Sequence, residues 1–492
     1  MDTEGKVADM MRLSEIVAVL EGVLAGPDIA FGAVSTDTRT IAPGDLFVAL
    51  KGEHFDGARF VAQARAAGAV AALVNRDTGC VSQDAGIPLL LVEDTRLALG
   101  RLAAHWRARF AIPLVAITGS NGKTTVKEML AAILRQKIKD DLPDGSTALR
   151  ERGGEREHSE DVGQFVLATQ GNFNNDIGLP LTLLKLRDSH RYAVIEMGMN
   201  HPGEIDYLTR IAHPDVALIN NASGAHLQGL GSVEGVARAK GEIFAGLAAQ
   251  GTAVINADDP HAALWRTLAG QHEVLDFSLA HAAAVRGSWR AQGYGGELHL
   301  DTPAGESHIA LQVPGEHNAR NALAAATAAL ALRVPLITIA KGLAAFAGVA
   351  GRLQRKAAQR GATLIDDTYN ANPASMHAAL EVLAQTAGKR VFVLGDMGEL
   401  GDDAAQFHRE IGITARELGI ERLLALGALS AQAVQAFGPG AEHFAEIETL
   451  QRQLAAELDA QTTVLVKGSR FMKMERVVQA CATAQEETCC SH

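Results

Sequence analysis

The chain has 492 residues, too many for one hydrophobic core, and at roughly 100 to 200 residues per domain it divides into about three. Apolar residues make up 47% and charged residues 21%, a balance that excludes wholesale disorder. A net charge of -12 with no basic stripe excludes a duplex-binding surface, and four cysteines without disulfide-framework or zinc spacing fit a reducing compartment.

The N-terminal stretch MDTEGKVADMMRLSEIV lacks the basic start and apolar core of a signal peptide. The longest uncharged apolar run, Ala322 to Leu332, is too short to span a bilayer. A cytoplasmic protein is expected, with no membrane insertion and no nucleic-acid partner. From Ala30 to Leu50 short alternating stretches are broken by turn residues, and a strand-like run over Ile87 to Val92 precedes a helix over Thr95 to Phe110. This is a small α/β unit, and Pro113 marks its end.

Leu114 to Thr118 then reads as a buried strand that runs into a glycine turn. Val126, Met129, Leu130, Ile133 and Leu134 follow at the spacing of one helical face. Strands at Tyr192 to Glu196, Val216 to Asn220 and Thr252 to Asn256 alternate with helical stretches, which predicts a mostly parallel sheet with helices on both faces. A third alternation has strands at Thr363 to Asp367, Arg390 to Gly395, Leu423 to Gly427 and Thr463 to Lys467, a doubly wound pattern. The expected fold is α/β in three domains: 1–110, 111–347 and a Rossmann-like 348–492. Residues 139–164 are charged, carry Pro143, Gly145, Gly153 and Gly154, and have no apolar period, so a mobile surface insertion is predicted there.

The strongest chemical signal is Gly119-Ser120-Asn121-Gly122-Lys123-Thr124-Thr125 between strand and helix. Glycines let amide N–H groups and the helix N-terminus face a phosphate chain, a lysine reaches the terminal phosphates, and a threonine hydroxyl can bind Mg²⁺. The common phosphate-loop formula would require glycine at position 117, where Ile117 stands, so this is the shorter TGxxGKT form. Glu196 ends a strand on the edge where open α/β sheets bind ligands, and there it can hold Mg²⁺. His226, beyond the strand that ends at Asn220, is a second metal candidate.

TGSNGKTT, GNFNNDIGLP (171–180), VIEMGMNHPGEI (194–205), NASGAHL (221–227), ARAKGEIF (237–244) and GEHNARN (315–321) resemble, in order, the motifs of the Mur ligases. The resemblance covers nearly the whole chain apart from 139–164 and the extreme ends. It implies a UDP-substrate domain, a central ATPase domain and a C-terminal domain for the incoming amino component. Because water would hydrolyse an acyl phosphate formed at the centre, the outer domains are expected to close over it as substrates bind. It assigns Lys123 to the phosphates, Thr124 and Glu196 to one Mg²⁺, and His226 to a second. Lys240 matches a lysine that CO₂ converts to an anionic carbamate metal ligand. Asn318, Asn321, Arg352 and Asp367 match residues around the nucleotide, with helix capping the competing role for the two asparagines.

Ser35, Thr38 and Arg39, with Glu53 and His54 in the segment Pro43 to Gly57, match the UDP-sugar region shared by the tripeptide-forming and D-alanyl-D-alanine-adding members. DDTYNANP (366–373) and GDMGELG (395–401) resemble the latter, and the DYAHTP-like and Asp-Asn-Pro-Arg segments of the former are absent. The resemblance therefore implies an ATP- and Mg²⁺-dependent monomer that acts on a UDP-N-acetylmuramoyl tripeptide and D-alanyl-D-alanine. A nucleotide-dependent regulatory switch is the reading from another class, and it leaves Glu196, His226 and the N-terminal motif without a role.

Overall fold

Three main β-sheets carry the chain in the computed structural model, which describes residues 9–52, 55–77, 86–142, 161–224 and 227–483. Glu53, His54 and His226 lie outside these residues. The N-terminal sheet has five strands in the order Val23–Ala25, Leu89–Val92, Ala71–Asn75, Leu46–Val48, Val34–Ser35, with only the first pair antiparallel.

The central sheet has nine strands. Its parallel part runs Val166–Ala168, Tyr192–Glu196, Leu114–Thr118, Val216–Ile219, Thr252–Asn256, Glu273–Ser278 and Val285–Gln292. Successive residues of these strands face opposite sides, as β geometry requires. Ala116, Ile195 and Ile219 enter one core, while Val115, Ile117 and Val194 enter the other with Val126, Met129, Leu130, Ile133 and Leu134 of the helix Lys123–Asp141. Both faces are covered, so the strands read as unbroken apolar runs.

The sheet departs from expectation at one edge. Val285–Gln292, Gly295–Thr302 and Gly305–Leu311 form an antiparallel meander, and a further strand at Glu273–Ser278 precedes it. The meander buries one face against the helix Glu316–Ala331, and its exposed edge alternates exposed and less exposed residues. Its signal was that period of two, with turn glycines at Gly293 and Gly305.

The C-terminal sheet has six strands in the order Gln354–Ala357, Thr363–Asp367, Thr462–Lys467, Lys389–Gly395, Arg422–Leu426, Ala441–Phe444, of which only the first runs antiparallel. One core lies on each of its faces. By contrast, the N-terminal unit shares a core with the central one: Leu13, Phe31, Leu73 and Leu102 belong to the same cluster as Ala116 and Ile195. Trp106 Nε1 further donates to Leu186 O at 3.1 Å across that junction.

The predicted insertion is shorter than 139–164. Residues through Asp141 continue the helix, and Val162 is buried in the central core ahead of the strand Val166–Ala168. Residues 143–160 lie outside the described ones. Among the described residues no helix is long and apolar enough to cross a membrane.

Candidate active site

The carboxyl ends of Leu114–Thr118 and Tyr192–Glu196 lie side by side, and the phosphate loop leaves the first of them. Gly122 has φ +80° and caps the following helix, and a Cβ there would fall 2.2 Å from Asn321 Oδ1 and 2.6 Å from Asn220 Nδ2. Only glycine lets the backbone turn this closely, which aims the first N–H groups of the helix outward toward an anion.

The loop is pinned from the next strand. Ser120 N donates to Asn221 O (3.0 Å), Asn121 N to Asn221 Oδ1 (2.8 Å), and Ser223 N to Ser120 Oγ (2.9 Å). Asn220 Nδ2 donates both to Asn121 O and to Asn321 Oδ1, each at 2.9 Å, and Asn321 Nδ2 donates to Asn318 Oδ1 at 3.2 Å. Neither Asn318 nor Asn321 caps its helix: Gly315 is the N-cap, and Asn318 donates to Pro314 O at 2.7 Å. The capping role is therefore excluded, and the asparagines buttress the loop instead. Asn220 Oδ1 is buried without a hydrogen-bond partner.

Lys123 Nζ donates to Gly119 O at 2.7 Å. Burial, reinforced by the Arg352 cation and opposed by Glu196, holds its pKa below the usual lysine value. Thr124 Oγ1 donates to Glu196 Oε2 at 2.9 Å, and Asn174 Nδ2 donates to Glu196 Oε1 at 2.8 Å, so both oxygens of a carboxylate only 3% exposed are oriented. Thr125 is buried in the same helical turn. Lys240, only 2% exposed, ends the helix Val233–Gly241; burial first, and then the Lys123 charge, lowers its pKa well below the usual value. A neutral amine is the form that adds CO₂.

The C-terminal unit completes the cluster. Arg352 Nη2 donates to Thr124 Oγ1 at 3.2 Å, while its guanidinium carbon lies 4.2 Å from the centre of the Tyr369 ring. Asn372 Nδ2 donates to Asn121 Oδ1 at 2.8 Å. Asp367 pairs with Lys467 on the adjacent strand, Nζ to Oδ2 2.5 Å, and accepts from Leu353 N at 3.2 Å. His317, at the start of the helix that carries Asn318 and Asn321, is pushed down to about 4 by burial and by the Lys467 and Arg320 cations, so it is neutral near pH 7.

The fold thus gathers Lys123, Thr124, Glu196, Asn318, Asn321 and Arg352 from separate stretches of the sequence. It leaves Ser35, Thr38 and Arg39 in a turn of the N-terminal unit: Thr40 N donates to Asp37 O (3.0 Å), Ser35 Oγ bonds within the turn, and Arg39 pairs with Asp37. Asn174, Asn220, Asn372 and Lys467 escaped individual notice in the sequence. Three lie inside or beside the motifs, at GNFNND, IN-NASG and YNANP, where asparagine repetition was the available signal. Lys467 had none, since its role depends on the strand register with Asp367.

The hard oxygen donors Thr124 and Glu196 suit Mg²⁺, which takes one or two carboxylates and completes its shell with phosphate oxygens and water. Among the described residues no group of three His, Cys, Asp or Glu side chains forms a metal cluster. A phosphate loop, an acidic strand end and an arginine reaching in from a third α/β unit define a nucleotide site built for phosphoryl transfer.

Three family models match the chain: the Mur ligase family catalytic domain over residues 31–107, the Mur ligase middle domain over 117–329, and the Mur ligase glutamate ligase domain over 351–470. The chain belongs to the Mur ligase family. It is 44% identical over 474 residues to the UDP-N-acetylmuramoyl-tripeptide--D-alanyl-D-alanine ligase of Escherichia coli, covering 96% of this chain and 98% of that one. Among solved structures it is similar to MurF from Acinetobacter baumannii (TM-score 0.83, 37% identity, 95% of this chain and 97% of that one). It is also similar to the MurF ligase of Thermotoga maritima in complex with ADP (TM-score 0.75, 26% identity, 91% and 96%).

Proposed function

We propose that the protein joins D-alanyl-D-alanine to a UDP-N-acetylmuramoyl tripeptide, converting ATP to ADP and phosphate. The observation that carries this is the Lys123, Thr124, Glu196 and Arg352 cluster in a chain 44% identical, end to end, to a relative of that name.

A carboxylate is a poor acyl donor because its oxygen is a poor leaving group. Attack of the tripeptide's terminal carboxylate on the γ-phosphate gives an acyl phosphate, and the amine of D-alanyl-D-alanine then attacks the carbonyl and expels phosphate. Two anions must meet in the first step. Lys123 and Arg352 approach the loop from opposite units and screen that repulsion, stabilising the charge that spreads over the transferred group. Gly119 to Thr125 cradle the phosphates, and the Asn220–Asn321–Asn318 chain keeps the loop rigid enough to hold them in line.

Thr124 and Glu196 would hold Mg²⁺, which supplies Lewis-acid polarisation of the phosphoryl oxygens. Lys240, as a carbamate, and His226 would serve a second ion; the depressed basicity of Lys240 supports that chemistry. Asp367 and Lys467 brace the segment that bears Arg352. Ser35, Thr38, Arg39, Glu53 and His54 would receive the UDP moiety. The domain limits 1–110, 111–347 and 348–492 belong to the same reading. So does closure over the acyl phosphate, assigned here to the C-terminal unit because the N-terminal unit shares its core with the central sheet.

Phosphate release coupled to a UDP-N-acetylmuramoyl tripeptide and a panel of amines tests the proposal. Turnover with D-alanyl-D-alanine, and not with meso-diaminopimelate, lysine or glutamate, is the expected result. Turnover with one of the others, or peptide formation without nucleotide consumption, would overturn it.

A further inference from the structure

Arg352 reaches the phosphate loop from a segment that belongs to another sheet, so its aim depends on how that segment is held. Burial and two hydrogen bonds hold it. Leu353, immediately after the arginine, is buried at 7% exposure with φ +49°, a left-handed conformation that disfavours a non-glycine residue and persists only where its surroundings impose it. Its N–H is fixed by Asp367 Oδ1 at 3.2 Å. Its carbonyl is fixed by Tyr294 Oη at 2.5 Å.

Tyr294 is the contact that comes from the central sheet. It follows Gly293 (φ +62°) in the tight turn between the strands Val285–Gln292 and Gly295–Thr302, a turn that makes no demand for an aromatic side chain. Its ring packs against the core of the C-terminal sheet, and the Arg355 guanidinium carbon lies 5.6 Å from the ring centre. Packing alone would be served equally by phenylalanine; the hydroxyl adds a directional bond to the peptide that follows Leu353. That bond ties the backbone one residue beyond the arginine to the central sheet, whose strand Leu114–Thr118 leads into the helix that carries Thr124.

We infer that Tyr294 is a positioning residue for phosphoryl transfer: by holding the Leu353 carbonyl it aims Arg352 at Thr124 and the phosphates. The inference rests on the reading of Arg352 as a nucleotide-site residue. Its test is a double-mutant cycle in the full-length enzyme with Tyr294→Phe, Arg352→Ala and the pair, read as kcat/KM for ATP and as the dissociation constant of Mg-ATP. Tyr294→Phe alone should lower kcat/KM about three- to tenfold, the span of one lost hydrogen bond, with an unchanged melting temperature. In the Arg352→Ala background the same substitution should change either constant by less than about twofold, because the group it aims is gone. Equal losses in both backgrounds would mean that Tyr294 acts through general packing, and no loss in the parent enzyme would mean that the hydroxyl is idle; either overturns the inference while leaving the reading of Arg352 intact. Arg352→Ala with both constants unchanged would overturn that reading and the inference with it. Should Arg352→Ala turn over too slowly to assay, the Mg-ATP constant supplies the same comparison.

Discussion

Thr124 Oγ1 lies 2.9 Å from Glu196 Oε2, which ties the first turn of the helix after the phosphate loop to the end of the neighbouring parallel strand. Two hard oxygens from different elements are thereby set at one point on the carboxyl edge of the sheet. Glu196→Gln keeps the shape and can still accept from Thr124, but removes the charge that attracts a divalent cation. The Mg²⁺ concentration for half-maximal turnover should rise about tenfold or more, with the melting temperature little changed. A magnesium titration of phosphate release checks this, and an unaltered midpoint would remove Glu196 from the metal site.

Gly122 tests the loop geometry without touching a charge. An alanine there must adopt φ +80° and place its Cβ 2.2 Å from Asn321 Oδ1, so the loop or the asparagine chain has to move. Gly122→Ala should weaken ATP binding by about tenfold or more, because the backbone donors lose their common aim. Calorimetric titration with a non-hydrolysable ATP analogue measures it. Wild-type affinity would mean that the loop does not contact the phosphates.

Lys240 is enclosed beside another lysine, and the neutral amine favoured there is the form that reacts with CO₂. Protein equilibrated with ¹³C-bicarbonate should give a carbamate carbon resonance that vanishes in Lys240→Arg, together with a loss of turnover on the order of a hundredfold. Full activity in the arginine variant, with no resonance in the parent, would remove the carbamate from the mechanism.

Stability against acid should depend on Glu457. Burial alone would raise its pKa, but hydrogen bonds from Arg422, Gln453 and Lys389 outweigh it and hold the carboxyl at about 2. A carboxyl depressed on folding stabilises the protein above its unfolded value near 4.5, and that contribution is lost as pH falls from there to about 2. Glu457→Gln should therefore cost about 1–2 kcal/mol at pH 7, after allowance for solvent screening, and the gap to the parent should shrink through that window. Urea unfolding followed at both ends of the window decides it; a gap independent of pH would show that the group contributes by packing alone.

Much of the fold and part of the site were legible in the chain. Tyr192–Glu196, Thr252–Asn256 and Thr363–Asp367 fall where their apolar runs predict, because strands buried on both faces need unbroken hydrophobicity. The phosphate loop was legible because glycine, lysine and threonine at fixed spacing between strand and helix have one dominant physical use. The meander over 285–311 was hidden by its exposure at the sheet edge, where polar residues weaken the strand signal.

By itself, then, the sequence determined the alternation of strands and helices, the phosphate loop and the order of its motifs, all of which depend on neighbours within about ten residues. The tertiary structure alone decided that Asn220 spans from Asn121 to Asn321, that Lys467 faces Asp367, and that Arg352 reaches from the C-terminal unit to donate to Thr124 at the start of the helix after the phosphate loop. These contacts join residues roughly a hundred or more positions apart. Their partners are set by strand register and by the packing of one unit on another, and no local pattern of residue types encodes either.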